Sequence, residues 1–488
     1  MVPRGSTVQG VASRFTRNGG DVMASVILVV GLGYGDEGKG SLVDYLCRTR
    51  SVHTVVRYCG GAQAAHNVIT PDGRHHLFAQ FGSGSFVPGV RTHLSRHMLV
   101  NPLSLMSEER GLREVGVTDA FKRMTVERSA LVTNPFQVAA NRLREMARSK
   151  GRHGSCGMGI GETVADFVAN PDMAIRVGDL EHPDVLRTKL RYSRERKMAE
   201  MVGLVSAMDM NDDIDREYRL LTDPTVVDLC VERYVEFTKI VRLVDSDWLR
   251  AVLDEPGCVV FEGAQGVLLD QDFGTFPYVT RSKTTLENAY DLLGDFDGEV
   301  IRFGLLRSYM TRHGAGPFVT EDESLDYPEI HNCYGPWQES WRQGHLDLVA
   351  IDYAIRAVGG VDEIGVTHLD YFSGPQRVCT GYDTQWPLPV ATEEKARLKE
   401  LQRVTEALFE ACPSYTVAET VADLISMVEG VAGAPATIVS YGRTAEDKHE
   451  RRSGTGPREG HQAGRQAEAH HWETPCPGRS VHPSPLHL

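Results

Sequence analysis

The sequence predicts one large α/β domain with helical insertions, and three observations carry that prediction. A short apolar run, Ser25 to Val30, meets a glycine-rich turn and then apolar residues at helical spacing from Ser41 to Cys47. Further buried-strand runs at Thr54 to Tyr58, Cys258 to Phe261 and Ile364 to Thr367 each end in Gly, Asp or His, as strands do where they face a ligand. Between them lie helical segments: residues 181–256 with many charges, and the amphipathic stretches Val349 to Val358 and Glu394 to Ala411.

The ends of the chain read differently. Residues 1–22 are polar and glycine-rich, with a vector-like Val2-Pro3-Arg4-Gly5-Ser6, and are set aside as a disordered leader. From Asp447 the composition turns to Gly, His, Pro and Arg, so residues 447–488 read as a disordered tail and 23–446 as the domain.

Across the 488 residues, 52 basic and 66 acidic side chains leave a net charge of −14. That balance opposes binding to a nucleic-acid backbone, which needs a positive surface. No run of about 18 apolar residues exists, so no membrane span is expected. The nine cysteines contain no C-x-x-C pair and fit neither a disulfide framework nor a zinc knuckle. They read as small buried apolar side chains, and no secretory signal opens the chain, which makes the cytoplasm the expected location.

The first chemical motif follows the first strand. Five glycines between Gly31 and Gly40 let backbone N–H groups converge on an anion at the positive end of the next helix. Gly33 to Lys39 fits G-x-x-x-x-G-K-S/T, with Gly38 as its second glycine and Lys39 aimed at outer phosphates. Position 40 is glycine, however, and the usual hydroxyl for Mg2+ is missing. Asp36 and Glu37 place carboxylates inside the loop. A carboxylate there repels phosphate, so it is expected to bind the metal or to do proton chemistry.

These residues carry a resemblance. Gly35-Asp36-Glu37-Gly38-Lys39-Gly40, followed by Ser41, resembles the signature loop of adenylosuccinate synthetases, GTP-dependent ligases that join IMP to aspartate. Five further segments follow the family pattern in order: Arg57 to His66, Gly154 to Gly161, Phe261 to Thr280, Tyr309 to Phe318, and Thr367 to Asp370. The resemblance implies a P-loop-like fold on a large, mostly parallel sheet, and a two-step reaction. The purine 6-oxo group is phosphorylated, then an amine displaces phosphate.

Roles follow by resemblance, residue by residue. Gly35, Glu37, Gly38, Gly40 and Ser41 form the loop around the nucleotide phosphates. Asp36 is the base for the purine N1 proton, His66 the donor to oxygen charge, and Lys39 the cation on the transferring phosphoryl group. Mg2+ sits between Asp36, phosphate and the backbone at Ala65. Gln63, Ser155, Cys156, Gln265 and Thr280 hold the acceptor nucleotide. Asp370 reads the guanine edge, beside His368 and the closing loop Ser440 to Gly442, which favours GTP over ATP. A homodimer is implied, because the family completes its site across a two-fold interface.

The amine-donor loop departs from the pattern. Where the family carries threonines and arginines, this chain has Trp337, Glu339 and Trp341, and only Arg342 survives. Replacing a cation with an anion opposite a dicarboxylate removes attraction and adds repulsion. The sequence therefore points to a GTP-dependent ligase acting on an IMP-like nucleotide with a donor other than aspartate, in a specialised role such as modified-nucleoside biosynthesis. Two alternatives stay open: an adenylosuccinate synthetase with a rewired aspartate site, and a nucleotide-binding protein without turnover.

Overall fold

The strand Ser25–Gly31 is buried at all seven positions, as an apolar strand must be when it has neighbours on both edges and cover on both faces. In this computed structural model, which describes residues 24–148, 155–329, 337 and 341–451, it is the fifth strand of a ten-stranded sheet. Across the sheet the order is Lys448–Glu450, Ala436–Ser440, Glu363–Thr367, Glu299–Arg307, Ser25–Gly31, Cys258–Glu262, Val52–Arg57, Arg91–Leu94, Met124–Glu127 and Arg242–Val244. Every neighbouring pair is parallel except the first, where Lys448–Glu450 runs antiparallel to Ala436–Ser440. The expected strands and the helix Lys39–Thr49 all form.

Two differences from the sequence reading have physical causes. The segment 181–256 is mainly helical, as Pro183–Ser206, Asp212–Thr222, Thr225–Ile240 and Asp247–Leu253, but it also supplies the edge strand Arg242–Val244. That strand has three residues with only Val244 buried, too little pattern to read in a sequence. At the other edge the ordered body runs past residue 446: Lys448–Glu450 joins the sheet, and Arg451 donates from its backbone to the Thr437 carbonyl at 2.8 Å. The sequence hid this strand because it is short and charged, and only Lys448 is buried. The leader, residues 452–488 and Glu339 lie outside the described residues.

Helices cover both faces. Lys39–Thr49 packs on one side through Leu42, Val43 and Leu46, and Leu348–Ala357 with Val421–Ala432 packs on the other. A separate apolar cluster joins Pro102–Glu114, Pro135–Arg148 and the long helices after residue 183 into a lobe beside the sheet. Five of the seven described cysteines are buried, as expected; Cys156 is half-buried, and Cys412 is exposed in a loop.

Parallel strands end at one edge, and that fact places the site. The turns after Ser25–Gly31, Val52–Arg57, Cys258–Glu262, Glu299–Arg307, Glu363–Thr367 and Ala436–Ser440 all open on the carboxyl side of the sheet, where ligands of α/β folds bind.

Candidate active site

Those turns enclose a continuous cleft of about 3290 Å3, several times the roughly 300–1,000 Å3 filled by one small ligand. Asp36, Gly38, Lys39, Gln63, Ala65, His66, Ser155, Cys156, Gln265, Thr280, His368, Asp370, Ser440 and Gly442 all line it. Among the described residues, three non-glycines hold a left-handed backbone: Asp36 (φ 62°), Gln265 (φ 53°) and His368 (φ 59°). Each conformation costs roughly 1–2 kcal/mol. All three sit on this cleft, and such strain gathers at functional sites.

The phosphate loop is tighter than its glycines suggested. Glu37, expected to serve a metal or a proton, folds back instead. Its Oε1 accepts from Gly33 N at 3.0 Å and Gly35 N at 2.8 Å, while Oε2 meets Lys39 Nζ at 2.6 Å. Glu37 and Lys39 are almost fully buried, and two charges removed from water need each other. Gly31 is explained by the same carboxylate, since a Cβ there would collide with Glu37 Oε2. Gly38 turns the loop into the helix: it caps Lys39–Thr49 with a left-handed backbone, φ 91°, and its carbonyl accepts from Leu42 N at 3.0 Å. Gly40 replaces the usual hydroxyl because a Cβ would come within 2.8 Å of His66 Cβ. The Ser41 hydroxyl donates to the Arg443 carbonyl at 3.2 Å and accepts from Lys448, so it is engaged too. Among the described residues no three metal-binding side chains gather. Asp36 and Ala65 both line the cleft, and a carboxylate, a backbone carbonyl and phosphates are oxygen donors of the kind Mg2+ would take.

His66 was anticipated, but its partner was not. Its Nδ1 lies 2.6 Å from Glu262 Oε1, and Glu262 also accepts from Ser83 N at 2.9 Å and from the Ser83 hydroxyl. Burial pushes the His66 imidazole below its ordinary range, with Glu262 pulling the other way. Burial also pushes Glu262 upward, yet Arg57, His66 and Ser83 together hold that carboxyl below its usual value. An ionised carboxylate only accepts, so Nδ1 carries a proton and the ring orientation is fixed.

On the acceptor side, both polar atoms of the Gln63 amide and Oε1 of Gln265 are buried without a hydrogen-bond partner. Buried amides are normally satisfied, and these two converge on Gly60: a Cβ there would lie 3.5 Å from Gln63 Nε2 and 3.6 Å from Gln265 Oε1. They are fitted for a ligand with its own donors and acceptors. Ser155 Oγ accepts from Asn141 Nδ2 at 3.0 Å, just ahead of the helix Ile160–Ala169, whose N-terminus favours an anion. Burial pushes the Cys156 thiol up to about 11, so it offers a neutral S–H there.

On the base side, His368 Nδ1 lies 2.8 Å from Thr367 Oγ1, and the ring stacks on Tyr371 at 6.1 Å between centroids. Burial pushes the imidazole well below the ordinary range, so it carries no charge at neutral pH. Asp370 opens to the cleft mouth, yet partial desolvation pushes its carboxyl up, opposed by Arg307 and Arg443. The Ser440 hydroxyl donates to the Gly442 carbonyl at 2.8 Å and shapes the neighbouring loop.

The segment expected to take the amine donor includes an antiparallel pair, Met310–His313 with Trp341–Gly344, which sets His313 opposite Trp341 and Arg312 opposite Arg342. His313 Nε2 stands 3.4 Å from Asp36 Oδ2, and its ring lies 4.7 Å from that of Trp341. Arg342 is committed elsewhere: Nη1 pairs with Glu321 Oε2 at 2.8 Å and Nη2 donates to the Gly316 carbonyl at 2.9 Å. Trp341 and Arg342 are not on the described cleft wall. Trp337 lies against Gly157 of the acceptor loop, with the Arg142 guanidinium 5.6 Å from its ring.

Sequence reasoning also gave no role to Arg307. This buried cation donates from Nε to the Asp36 carbonyl at 2.7 Å and pairs with Glu329 at 3.1 Å. The available signal was a charge closing an apolar strand, Glu299–Arg307, as in Cys258–Glu262.

The sequence profile described as Adenylosuccinate synthetase matches residues 28–449. The adenylosuccinate synthetase of Chlorobium chlorochromatii is 34% identical over 367 residues, 73% of this chain and 79% of that protein. The Mycobacterium marinum adenylosuccinate synthetase is 32% identical over 434 residues, 85% of this chain and 95% of its own length. Among solved structures, the fully ligated Plasmodium falciparum adenylosuccinate synthetase superposes with a TM-score of 0.69 at 21% identity, covering 88% of this chain and 100% of the other. The cyanophage S-2L succinoaminodeoxyadenylate synthetase superposes at 0.50 and 16% identity, covering 88% and 95%. At these identities the structures speak to the fold.

Proposed function

This chain belongs to the adenylosuccinate synthetase family of GTP-hydrolysing carbon–nitrogen ligases, and from that premise we propose that it aminates an IMP-like nucleotide with a donor other than aspartate. GTP supplies the phosphoryl group and Mg2+ neutralises its phosphates. In this reading Asp36 takes the N1 proton of the purine, the 6-oxygen attacks the γ-phosphorus as the bond to GDP breaks, and the amine then displaces phosphate at C6. Lys39 offsets negative charge at the transfer. His66, turned by Glu262, presents Nε2 to the same phosphates, whose charge favours its protonated form. Gln63 and Gln265 hold the acceptor through the amide atoms now without partners.

The observation that carries the donor assignment is the fate of Arg342. It is the one arginine of the family's donor loop retained in this chain, and it is paired with Glu321 and turned to Gly316. The neighbouring Arg307 and Arg312 are also committed, to Glu329 and to the carbonyls of Ala315 and Pro317. For Nη1 or Nη2 of Arg342 to grip a second carboxylate, its bond to Glu321 or to Gly316 would have to break, each charge-assisted in a partly desolvated site. Amines without a side-chain carboxylate fit better, and a role in modified-nucleoside biosynthesis follows.

The rival reading, aspartate as donor, is favoured by the names of the relatives. Phosphate release with IMP separates the two, with GTP and ATP compared and the amine varied over aspartate, other amino acids, ammonia and small amines. Turnover confined to donors other than aspartate supports the proposal. Release with aspartate and a succinyl product overturns it. Tight nucleotide binding without release under any amine favours the non-catalytic alternative. We also propose a homodimer in the cytoplasm. A sedimenting species of monomer mass in saturating nucleotide would rule the dimer out.

A further inference from the structure

Lys448 stands in the segment that the composition of the chain sets apart as a tail, yet it lies directly behind the cleft wall, bonded to the cleft-lining Ser41. The cause is topological. Nine parallel strands of the large sheet end at the cleft edge, and its one antiparallel strand, Lys448–Glu450, begins there, with Lys448 in register with Ser440.

The Lys448 side chain is 6% exposed. Its ammonium donates to the Ser41 hydroxyl and to the Thr444 carbonyl, the latter at 2.9 Å. Ser41 lies in the first turn of Lys39–Thr49, the helix that follows the phosphate loop. The same hydroxyl donates to the Arg443 carbonyl at 3.2 Å. Lys448, Ser41 and Arg443 therefore form a short chain of hydrogen bonds. One end is the phosphate helix and the other the loop Ser440 to Arg443, and Ser41, Ser440, Gly442 and Arg443 all line the cleft. A buried ammonium is costly unless it answers a need for charge, and this one is placed next to a site for polyanions.

We propose that Lys448 is a nucleotide-positioning residue, which ties the base loop to the phosphate helix so that base and triphosphate are gripped as one unit. The inference rests on the reading of this half of the cleft as the triphosphate-donor site. It does not depend on the amine, and it holds whether the donor is GTP or ATP.

The groups facing Lys448 are Ser41 and Asp44 on the helix, Thr444 and Asp447 in the preceding turn, and Asp370 across the cleft mouth. Burial pushes the ammonium down to about 8, with Asp447, Asp44 and Asp370 pulling it back up. An added polyanion favours the charged form. Nucleotide affinity therefore falls as pH rises through about 8, and this component disappears when Lys448 is replaced by a residue that does not titrate.

The test is calorimetric binding of GTP, ATP and IMP, each measured alone, to the full chain and to Lys448→Met, Lys448→Arg and Ser41→Ala. Lys448→Met should weaken the better-bound triphosphate by about 10-fold or more, in line with loss of a charged hydrogen bond. IMP affinity should stay within about 2-fold, since the acceptor amides are remote from this contact. Lys448→Arg should recover most of the loss, Ser41→Ala should reproduce part of it, and the decline above pH 8 should vanish in Lys448→Met while persisting in Ser41→Ala. Unchanged triphosphate binding in Lys448→Met overturns the inference, as does an equal loss for IMP and triphosphate. Should Lys448→Met not fold, triphosphate affinity unchanged in Ser41→Ala overturns it as well. A wild type that prefers ATP to GTP corrects the nucleotide while leaving the Lys448 result to stand on ATP. A wild type that binds neither ends both readings.

Discussion

The nucleotide side of the cleft and the strand pair around Arg342 beside it are finished differently. On the nucleotide side, polar groups are left unanswered: both polar atoms of the Gln63 amide and Oε1 of Gln265 are buried without partners, and the backbone is strained at Asp36, Gln265 and His368. On the amine side the arginine charges have ion-pair partners, while Arg342 Nε and Trp341 Nε1 are buried without a hydrogen-bond partner. Arg342 has Glu321, and Arg307 has Glu329. The difference teaches how to recognise a seat for a ligand. Unsatisfied buried groups and held strain mark where something else is meant to bind, because the fold gains nothing from them alone.

Four substitutions break or sharpen that contrast. The largest effect is expected for Asp36→Ala, which removes the base and should cut phosphate release by about 10³-fold, while calorimetry still shows nucleotide binding. Next, Glu262→Gln should lower kcat by about 10²-fold, through loss of the His66 orientation and of its charged partner. Steady-state kinetics should leave the KM for GTP near its wild-type value. On the acceptor side, Gln265→Leu should raise the KM for IMP about tenfold by removing a hydrogen-bonding group. If that KM does not move, Gln265 is a structural amide and the contrast loses one of its supports.

The smallest effect concerns stability on the amine side. Asp347 caps the helix Leu348–Ala357 through Val349 N and Ala350 N, both at 3.1 Å, and accepts from the Tyr382 hydroxyl. Burial pushes its carboxyl up to about 6 from an ordinary 3.8. The folded state thus holds the proton more tightly than the unfolded chain. This contribution to stability is fully present below 3.8 and is lost as pH rises through about 6. Melting curves from pH 4 to 7 should show a decline that is shallower in Asp347→Asn, where the raised carboxyls of Asp270 and Glu108 still contribute.

The strand–turn–helix at Ser25 to Thr49 was legible because apolar runs, glycines and helical spacing are local signals. So were the motifs at the other strand ends, each carried by a short run of letters. What the sequence withheld were pairings over distance. His66 and Glu262 are separated by 196 positions, and Lys448 lies 407 positions from Ser41. Nothing local shows that a carboxylate closing one buried strand meets a histidine after another. Glu37 was misread for a related reason: its position in the loop was visible, but not the turn that brings it onto Gly33 and Gly35. The tail boundary erred because a three-residue strand of charged and polar side chains leaves no apolar pattern.

One reaction decides whether the protein refuses aspartate as its amine donor. The wild-type protein is given IMP, GTP, Mg2+ and an equimolar mixture of aspartate, neutral and basic amino acids, ammonia and small amines, and the nucleotide product is weighed by mass spectrometry. The account predicts an adduct with an amine that lacks a side-chain carboxylate. A succinyl adduct as the main product would contradict it, and would mean that Arg342 leaves Glu321 when substrate arrives.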